Sequence, residues 1–382
     1  MSIAWVDRAA QYQAMKPAID AAIQRVLASG VYEDGEEVHA FEREFAAYIG
    51  RRFAVSVGSG SDAIMLTLKA WGLGPDDEVI SPANSCQSVP LAIAHSGARI
   101  VLADIEERTC NIDPASVEAA ISPRTRVILA MHGHGIPCEI DPLMDIARRH
   151  GLKLLDDATV ATGARYRGQR LGSLGHAGVF SFGHGKMLTA PMNGAGIVLT
   201  DSEETAAQVR TLARYGTRPL RDDDDVPAPY RLSGSACVEL GYNSCLGSLQ
   251  AAVLRAKLPG LDPWLERRRT VAQRYHEGLQ GLPVVTPDPP PYMEPVYRGY
   301  LVRLPRRDQV FHALKAQGIG VNLLYLPPVH LHPAFRYLGY REGDFPVTER
   351  VARQMLSLPL YPEMTNDQVD QVVAAIRDAL QP

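Results

Sequence analysis

Cysteine is scarce in this chain. Five occur in 382 residues, at Cys86, Cys110, Cys138, Cys237 and Cys245, odd in number and without C-x-x-C spacing. That excludes a disulfide framework or a zinc knuckle and leaves buried thiols as the expectation. A dominant charge is also missing, for the net charge is only -4, which gives no pull toward nucleic acid or an anionic membrane. Neither is expected as a partner. No apolar run approaches the roughly 18 residues a membrane helix needs. The start, Met1-Ser2-Ile3-Ala4-Trp5-Val6-Asp7, lacks a basic region followed by an apolar core, so no signal or transit peptide is read there and a cytoplasmic location is expected.

What is present suits a large globule, with 46% hydrophobic and 21% charged residues. The length predicts one large domain over 1–250, opened by a helical segment, and a smaller C-terminal α/β domain over 251–382. A helix from Pro17 is stopped by Gly30, and a second carries Val38, Phe41, Phe45 and Tyr48 at spacings of three and four. Strand and helix then alternate. Strands are predicted at 53–57, 78–82, 99–103, 127–131, 152–155, 178–182 and 196–199, with helices between them such as 62–71 and 142–150. The rhythm implies an α/β fold, a mostly parallel sheet between helices. Residues 221–229, rich in Asp and Pro, read as a solvated loop, and the prolines of 287–291 as a linker. Helices follow at 246–258, at 264–279 with a basic face of Arg267, Arg268 and Arg269, and at 366–380.

The chemistry gathers around Lys186. Leu154-Leu155-Asp156-Asp157-Ala158 reads as a buried strand that delivers a carboxylate to the carboxyl end of the sheet, where open α/β folds bind ligands. Lys186 follows in Phe180-Ser181-Phe182-Gly183-His184-Gly185-Lys186, flanked by apolar Met187 and Leu188, so desolvation should free its amine for a Schiff base. A strand-end Asp and a Schiff-base Lys are the pair that pyridoxal phosphate requires, although a surface lysine and a solvated Asp read equally from these residues alone. Val57-Gly58-Ser59-Gly60-Ser61-Asp62-Ala63 joins a strand to a helix and suits a phosphate at the helix N-terminus, or a plain capped turn. Ser181 can add a hydroxyl to the same phosphate. His132-Gly133-His134 and His330-Leu331-His332 have metal-like spacing but no matched carboxylate or cysteine set, so no metal is expected.

From about residue 17 to 380 the chain resembles the DegT/DnrJ/StrS sugar aminotransferases, within fold type I of the pyridoxal phosphate enzymes. The motifs are Gly60-Ser61-Asp62-Ala63, Gly74-Pro75-Asp76-Asp77-Glu78-Val79-Ile80, Asn111-Ile112-Asp113-Pro114, Asp156-Asp157-Ala158, Gly172-Ser173-Leu174-Gly175, Phe180-Ser181-Phe182-x-x-x-Lys186, Gly241-Tyr242-Asn243-Ser244 and Leu356-Ser357-Leu358-Pro359-Leu360. The resemblance implies Lys186 as the Schiff-base lysine, Asp157 on the pyridine nitrogen, and Gly60, Ser61 and Ser181 on the phosphate. It implies that Asn243 reaches the cofactor phosphate of a second subunit, hence a homodimer with shared active sites, and that Tyr325 and His330 lie near the substrate entrance.

The implied reaction is ping-pong transamination from an amino acid, commonly glutamate, to a nucleotide-linked keto sugar or a keto cyclitol, in a secondary metabolite or glycan pathway. Lys186 would move the proton, with His184 as a possible assistant. Two other readings remain at this stage: dehydratase or lyase chemistry on the same scaffold, which for sugar C3 dehydration goes with histidine in place of Lys186, and a non-catalytic regulatory binder. The chain departs from the family pattern where the cofactor would lie. Cys86 stands where an aromatic ring usually stacks on the cofactor, Val160 where a glutamine is common, and Cys245 where an arginine is expected. Residues 187–194 replace the usual glycine-rich segment.

Overall fold

The computed structural model describes residues 2–192 and 194–381, so Asn193 in the segment after the lysine lies outside the described residues. Seven strands form one sheet in the order Phe53–Val57, Gly196–Thr200, Ala177–Ser181, Lys153–Asp157, Thr125–Met131, Glu78–Pro82, Arg99–Ala103. Only Gly196–Thr200 runs antiparallel to its two neighbours; the other pairings are parallel. Buried Val, Ile and Leu run along these strands because helices cover both faces, as a parallel sheet demands. The expected α/β architecture is therefore present.

Strand alternation sorts the apolar side chains into two cores. Ile128, Ala130, Leu154, Phe180, Ile197 and Leu199 pack on one face with the helix Glu36–Ile49. Val127, Leu129, Leu155, Val179 and Val198 pack on the other with the helix Gly60–Ala70. On the first face Phe45 meets Phe180 and Phe182 edge-on, with ring centroids 5.0 and 5.2 Å apart, and Phe41 meets Phe182 at 5.2 Å. This aromatic wedge fixes the strand that carries Ser181.

A further core joins the antiparallel pair Tyr300–Arg303 and Met355–Leu358 to the helices Arg307–Ala316 and Asn366–Leu380. The helix Leu261–Gly278 feeds two cores, since Leu261 and Leu265 pack with the large sheet whereas Val271, Ala272 and Tyr275 pack with the C-terminal elements. We propose to draw the domain division inside this helix rather than at 250/251. No helix among the described residues is long and apolar enough to cross a membrane.

Three local expectations change. The first helix spans Arg8–Ser29 with Pro17 inside it, because Asp7 caps the true start by accepting from the Ala10 N–H at 2.9 Å. Arg267 to Arg269 do not form one basic face, since successive helical residues point about 100° apart. Arg268 turns inward and is buried. The acidic stretch after Leu220 is exposed yet pinned, because Arg218 grips Asp224 through both guanidinium nitrogens at 2.7 and 2.8 Å.

Replacing Phe45 with Ala empties the aromatic wedge and should cost about 3–5 kcal/mol of stability, read from denaturant unfolding followed by far-UV circular dichroism.

Candidate active site

Two adjacent aspartates end the strand Lys153–Asp157, and alternation sends them to opposite faces. Both are fully buried, but only one is satisfied. Asp156 Oδ1 lies 2.7 Å from His132 Nε2, and its Oδ2 accepts from the N–H groups of Gly172 and Leu174 at 2.7 and 3.1 Å. His132 Nδ1 accepts from the Cys138 N–H at 2.9 Å, so the ring proton sits on Nε2 and points at Asp156. This His–Asp pair is structural. It accounts for His132, which the sequence offers as half of a metal-like pair.

Asp157 is different. Its Oδ1 accepts from the Thr159 N–H at 3.0 Å, whereas its Oδ2 is buried without any partner among the described residues. Burial pushes its carboxyl up, while the Thr159 contacts and the positive charge of Lys186 oppose that rise. A buried acceptor without a donor costs about 1–3 kcal/mol unless a ligand supplies one. The free oxygen is built for a donor that no described residue supplies.

Lys186 lies in a tight loop held by its own N–H to Gly183 O at 3.3 Å and by Thr189 Oγ1 donating to Lys186 O at 3.0 Å. Gly185 has φ +74, a conformation that favours glycine. Burial, and then the nearby Arg298 guanidinium, push the Lys186 ammonium down to about 8, against the pull of Asp157 and Cys86. An amine near 8 is partly free at neutral pH and ready to attack a carbonyl.

The turn before the helix Gly60–Ala70 supplies an anion seat. Ser59 caps the helix by accepting from the Asp62 N–H at 3.0 Å, which leaves the N–H groups of Gly60 and Ser61 at the open helix end. Gly60 presses on Ser181 so closely that a Cβ there would meet Ser181 Cβ at 2.6 Å. The turn and the Ser181 strand therefore share one small concavity. Ser244 locks it, accepting from the Gly58 N–H at 2.9 Å and donating to Asp62 Oδ2 at 2.8 Å.

Tyr325 is buried at the same site, its ring 5.4 Å from that of His134 and its hydroxyl accepting from Arg298 Nη1 at 3.3 Å. Burial, helped by Arg298, pushes the His134 imidazole down to about 3, so that ring is neutral at physiological pH. Cys86 is half-buried and packs against the core that also holds Tyr325.

The His330 Nε2 meets Glu349 at 3.1 Å and its ring packs on Phe345, while its Nδ1 is buried without a partner among the described residues. His184 is exposed and meets Arg8 Nη1 at 3.2 Å, on the rim of a cleft of ≈690 Å³ that Tyr12, Ile23, Met192 and Lys257 also line. Asn243 is exposed, beside the buried Ser244. Val160 is buried, and Cys245 is an exposed thiol. No group of three or more metal-ligating side chains occurs among the described residues.

Sequence reasoning missed Arg298, His134 and Ser244. His134 carried a signal, its pairing with His132, but that signal pointed to metal. Ser244 lay in the Gly241-Tyr242-Asn243-Ser244 motif, one residue from the one singled out. Arg298 had no periodic or motif cue.

Only the free amine attacks an aldehyde, so the rate at which Lys186 condenses with pyridoxal phosphate should rise with pH and level off above about 8. Stopped-flow absorbance across pH 6–11 checks this, and a rise that continues beyond pH 10 contradicts it.

The profile of the DegT/DnrJ/EryC1/StrS aminotransferase family matches residues 13–377. The chain is 41% identical to a dTDP-3-amino-3,4,6-trideoxy-alpha-D-glucose transaminase of Streptomyces venezuelae, over 98% of this chain and 96% of that protein. It is 38% identical to a pleiotropic regulatory protein of Geobacillus stearothermophilus, over 99% of this chain and 98% of that one. Its fold superposes on S. venezuelae DesV, solved in complex with a ketimine intermediate, with a TM-score of 0.92 at 40% identity, over 100% of this chain and 99% of DesV. The chain belongs to the DegT/DnrJ/EryC1/StrS aminotransferase family and is a pyridoxal phosphate-dependent transaminase.

Proposed function

We propose that this transaminase moves an amino group from an amino acid, glutamate by family habit, to a nucleotide-linked keto sugar. The single observation that carries the residue assignments is the buried, partnerless Oδ2 of Asp157 at the strand end, in the field of Lys186. The residues present fit the cofactor. Asp157 Oδ2 offers an acceptor to a protonated ring nitrogen, Lys186 offers an amine to the aldehyde, and Gly60, Ser61 and Ser181 offer N–H and hydroxyl donors to the phosphate. When bound, pyridoxal phosphate supplies an electron sink for the bond broken at the amino carbon.

The chain's own residues do the rest. Asp157 would hold the ring nitrogen protonated by accepting from it at Oδ2. Lys186, with its depressed basicity, can give up and take back a proton near neutral pH, as acid and base in turn. Tyr325 is buried at the site with its hydroxyl tied to Arg298. We assign no proton transfer to His184, because its ring is engaged by Arg8, nor substrate contact to His330, because Glu349 holds it.

Support for a sugar acceptor comes from the transaminase of S. venezuelae, whose name specifies a dTDP-linked amino sugar. A purely regulatory protein has no use for a lysine held near neutral basicity beside an unsatisfied buried carboxylate. Sugar C3 dehydratases of this scaffold carry histidine at the lysine position, which Lys186 opposes. A homodimer with shared sites is part of the same reading. It is supported by the exposed Asn243 and by Tyr230, Leu232 and Leu240, exposed at 72%, 94% and 93% in the segment that precedes it.

Purified protein incubated with pyridoxal phosphate should gain the visible band of a lysine-bound cofactor, and Lys186→Ala should lack it. Turnover of glutamate with a dTDP-keto sugar, followed as 2-oxoglutarate released, should fall by about 10²–10⁴-fold or more in the same variant. Wild-type protein that takes up no cofactor, or turnover that survives Lys186→Ala, overturns the proposal.

A further inference from the structure

His134 follows the strand that neighbours that of Asp157, and the reaction described above gives it no task. The strands Thr125–Met131 and Lys153–Asp157 pair Met131 with Asp157, and the next residue, His132, donates its N–H to Asp157 O at 3.1 Å. Two residues further on, the His134 ring is buried beside the Tyr325 ring. Among the described residues its nitrogens make no hydrogen bond; burial and the Arg298 charge are what act on it. A neutral imidazole has one N–H to give and one nitrogen to accept, so this ring is short of partners.

Its position is enforced rather than incidental. His134 has φ +58, a left-handed backbone that few residues other than glycine adopt and that gathers at functional sites. Neighbours on both sides hold it there. The Gly133 N–H donates to Asn111 Oδ1 at 2.7 Å, while His134 O and Gly135 O accept from the N–H groups of Arg298 and Val296 at 2.8 and 2.9 Å. Gly135 leaves no slack, since a Cβ there would lie 2.8 Å from the Arg298 N.

The shape of the cofactor decides which of its atoms comes to this corner. On its ring N1 and C4 stand opposite each other, with the phosphate arm of C5 on one side of that axis and the C3 oxygen on the other. Asp157 is assigned to N1, Lys186 to C4, and Gly60, Ser61 and Ser181 to the phosphate. Ala177–Ser181, which ends in Ser181, lies on one side of the Asp157 strand, and Thr125–Met131 lies on the other. The C3 oxygen therefore turns toward the strand end that leads to His134. Val160, three residues past Asp157, has no donor to offer it.

We propose that His134 is a cofactor-binding residue whose imidazole N–H donates to the C3 oxygen of pyridoxal phosphate. The proposal rests on the transaminase reading and on its assignments of Asp157, Lys186 and the phosphate turn. The negative C3 oxygen holds the proton of the lysine-bound imine, and a donor that shares its charge lets that proton leave at lower pH. Arg298, Asp157 and Cys86 are the other charged or titratable groups near Lys186, and the variants below leave all three in place.

Absorbance titration of the protein with pyridoxal phosphate bound, without substrate, reads that proton. His134→Phe keeps the ring and loses the N–H, so the pH midpoint of the visible band should rise by about one pH unit. His134→Gln keeps an N–H and should hold the midpoint near the wild-type value. An unmoved midpoint in folded His134→Phe overturns the proposal, whether or not the KM for the keto sugar rises. Should that variant fail to fold, His134→Gly, which suits the left-handed backbone, must show the same rise. An equal rise in His134→Gln also overturns it, because ring shape and not the N–H would then set the midpoint. Wild-type protein without a visible band sinks the transaminase assignments and this inference together, whereas a normal band with an unmoved midpoint sinks this inference alone.

Discussion

Adjacent residues on a strand face opposite ways, and this molecule turns that constraint on a pair of aspartates. Asp156 enters one face, where His132 and two backbone N–H groups consume its two oxygens. Asp157 enters the other face with one oxygen committed and one left over. Everything at the site is arranged around that leftover. Shifting the strand by one residue would exchange the two environments, placing the satisfied carboxylate in the pocket and the unsatisfied one in the core. The register is held by pairing with Thr125–Met131 on one side and Ala177–Ser181 on the other.

The same sheet edge brings the remaining groups together. Ser181 ends the strand beside Asp157, the glycine turn after Phe53–Val57 closes on Ser181, and the lysine loop springs from Ser181 directly. Contacts from outside the sheet come from Ser244, from Tyr325 and from residues 296–298, which Arg268 holds by their carbonyls. Arg268 therefore reaches the chemistry through two intermediaries, Arg298 and Tyr325. The site also holds an arginine that depresses the lysine and a histidine that burial drives neutral.

Much of this was legible in the sequence, for identifiable reasons. Buried parallel strands write themselves as apolar runs, so the strands at 78–82 and 99–103 and the last helix at 366–380 agree with the structure residue for residue. The Asp–Lys pair and the glycine turn were legible because their chemistry requires small residues and a strand end. Which aspartate is free was legible only through alternation, and the partner that satisfies the other, His132, is joined to it by folding alone. Arg298 and Arg268 were invisible as site residues, since nothing local distinguishes a guanidinium that turns inward from one on a wet helix face. His330 was named from the resemblance alone, and in the fold its Nε2 meets Glu349 while its Nδ1 has no partner among the described residues.

The account stands on the free oxygen of Asp157. A crystal structure of the protein with pyridoxal phosphate bound measures it directly. The account predicts the ring nitrogen within hydrogen-bond distance of Asp157 Oδ2, roughly 2.6–3.0 Å. A ring nitrogen facing water or another side chain, with Oδ2 still unpaired, would contradict it.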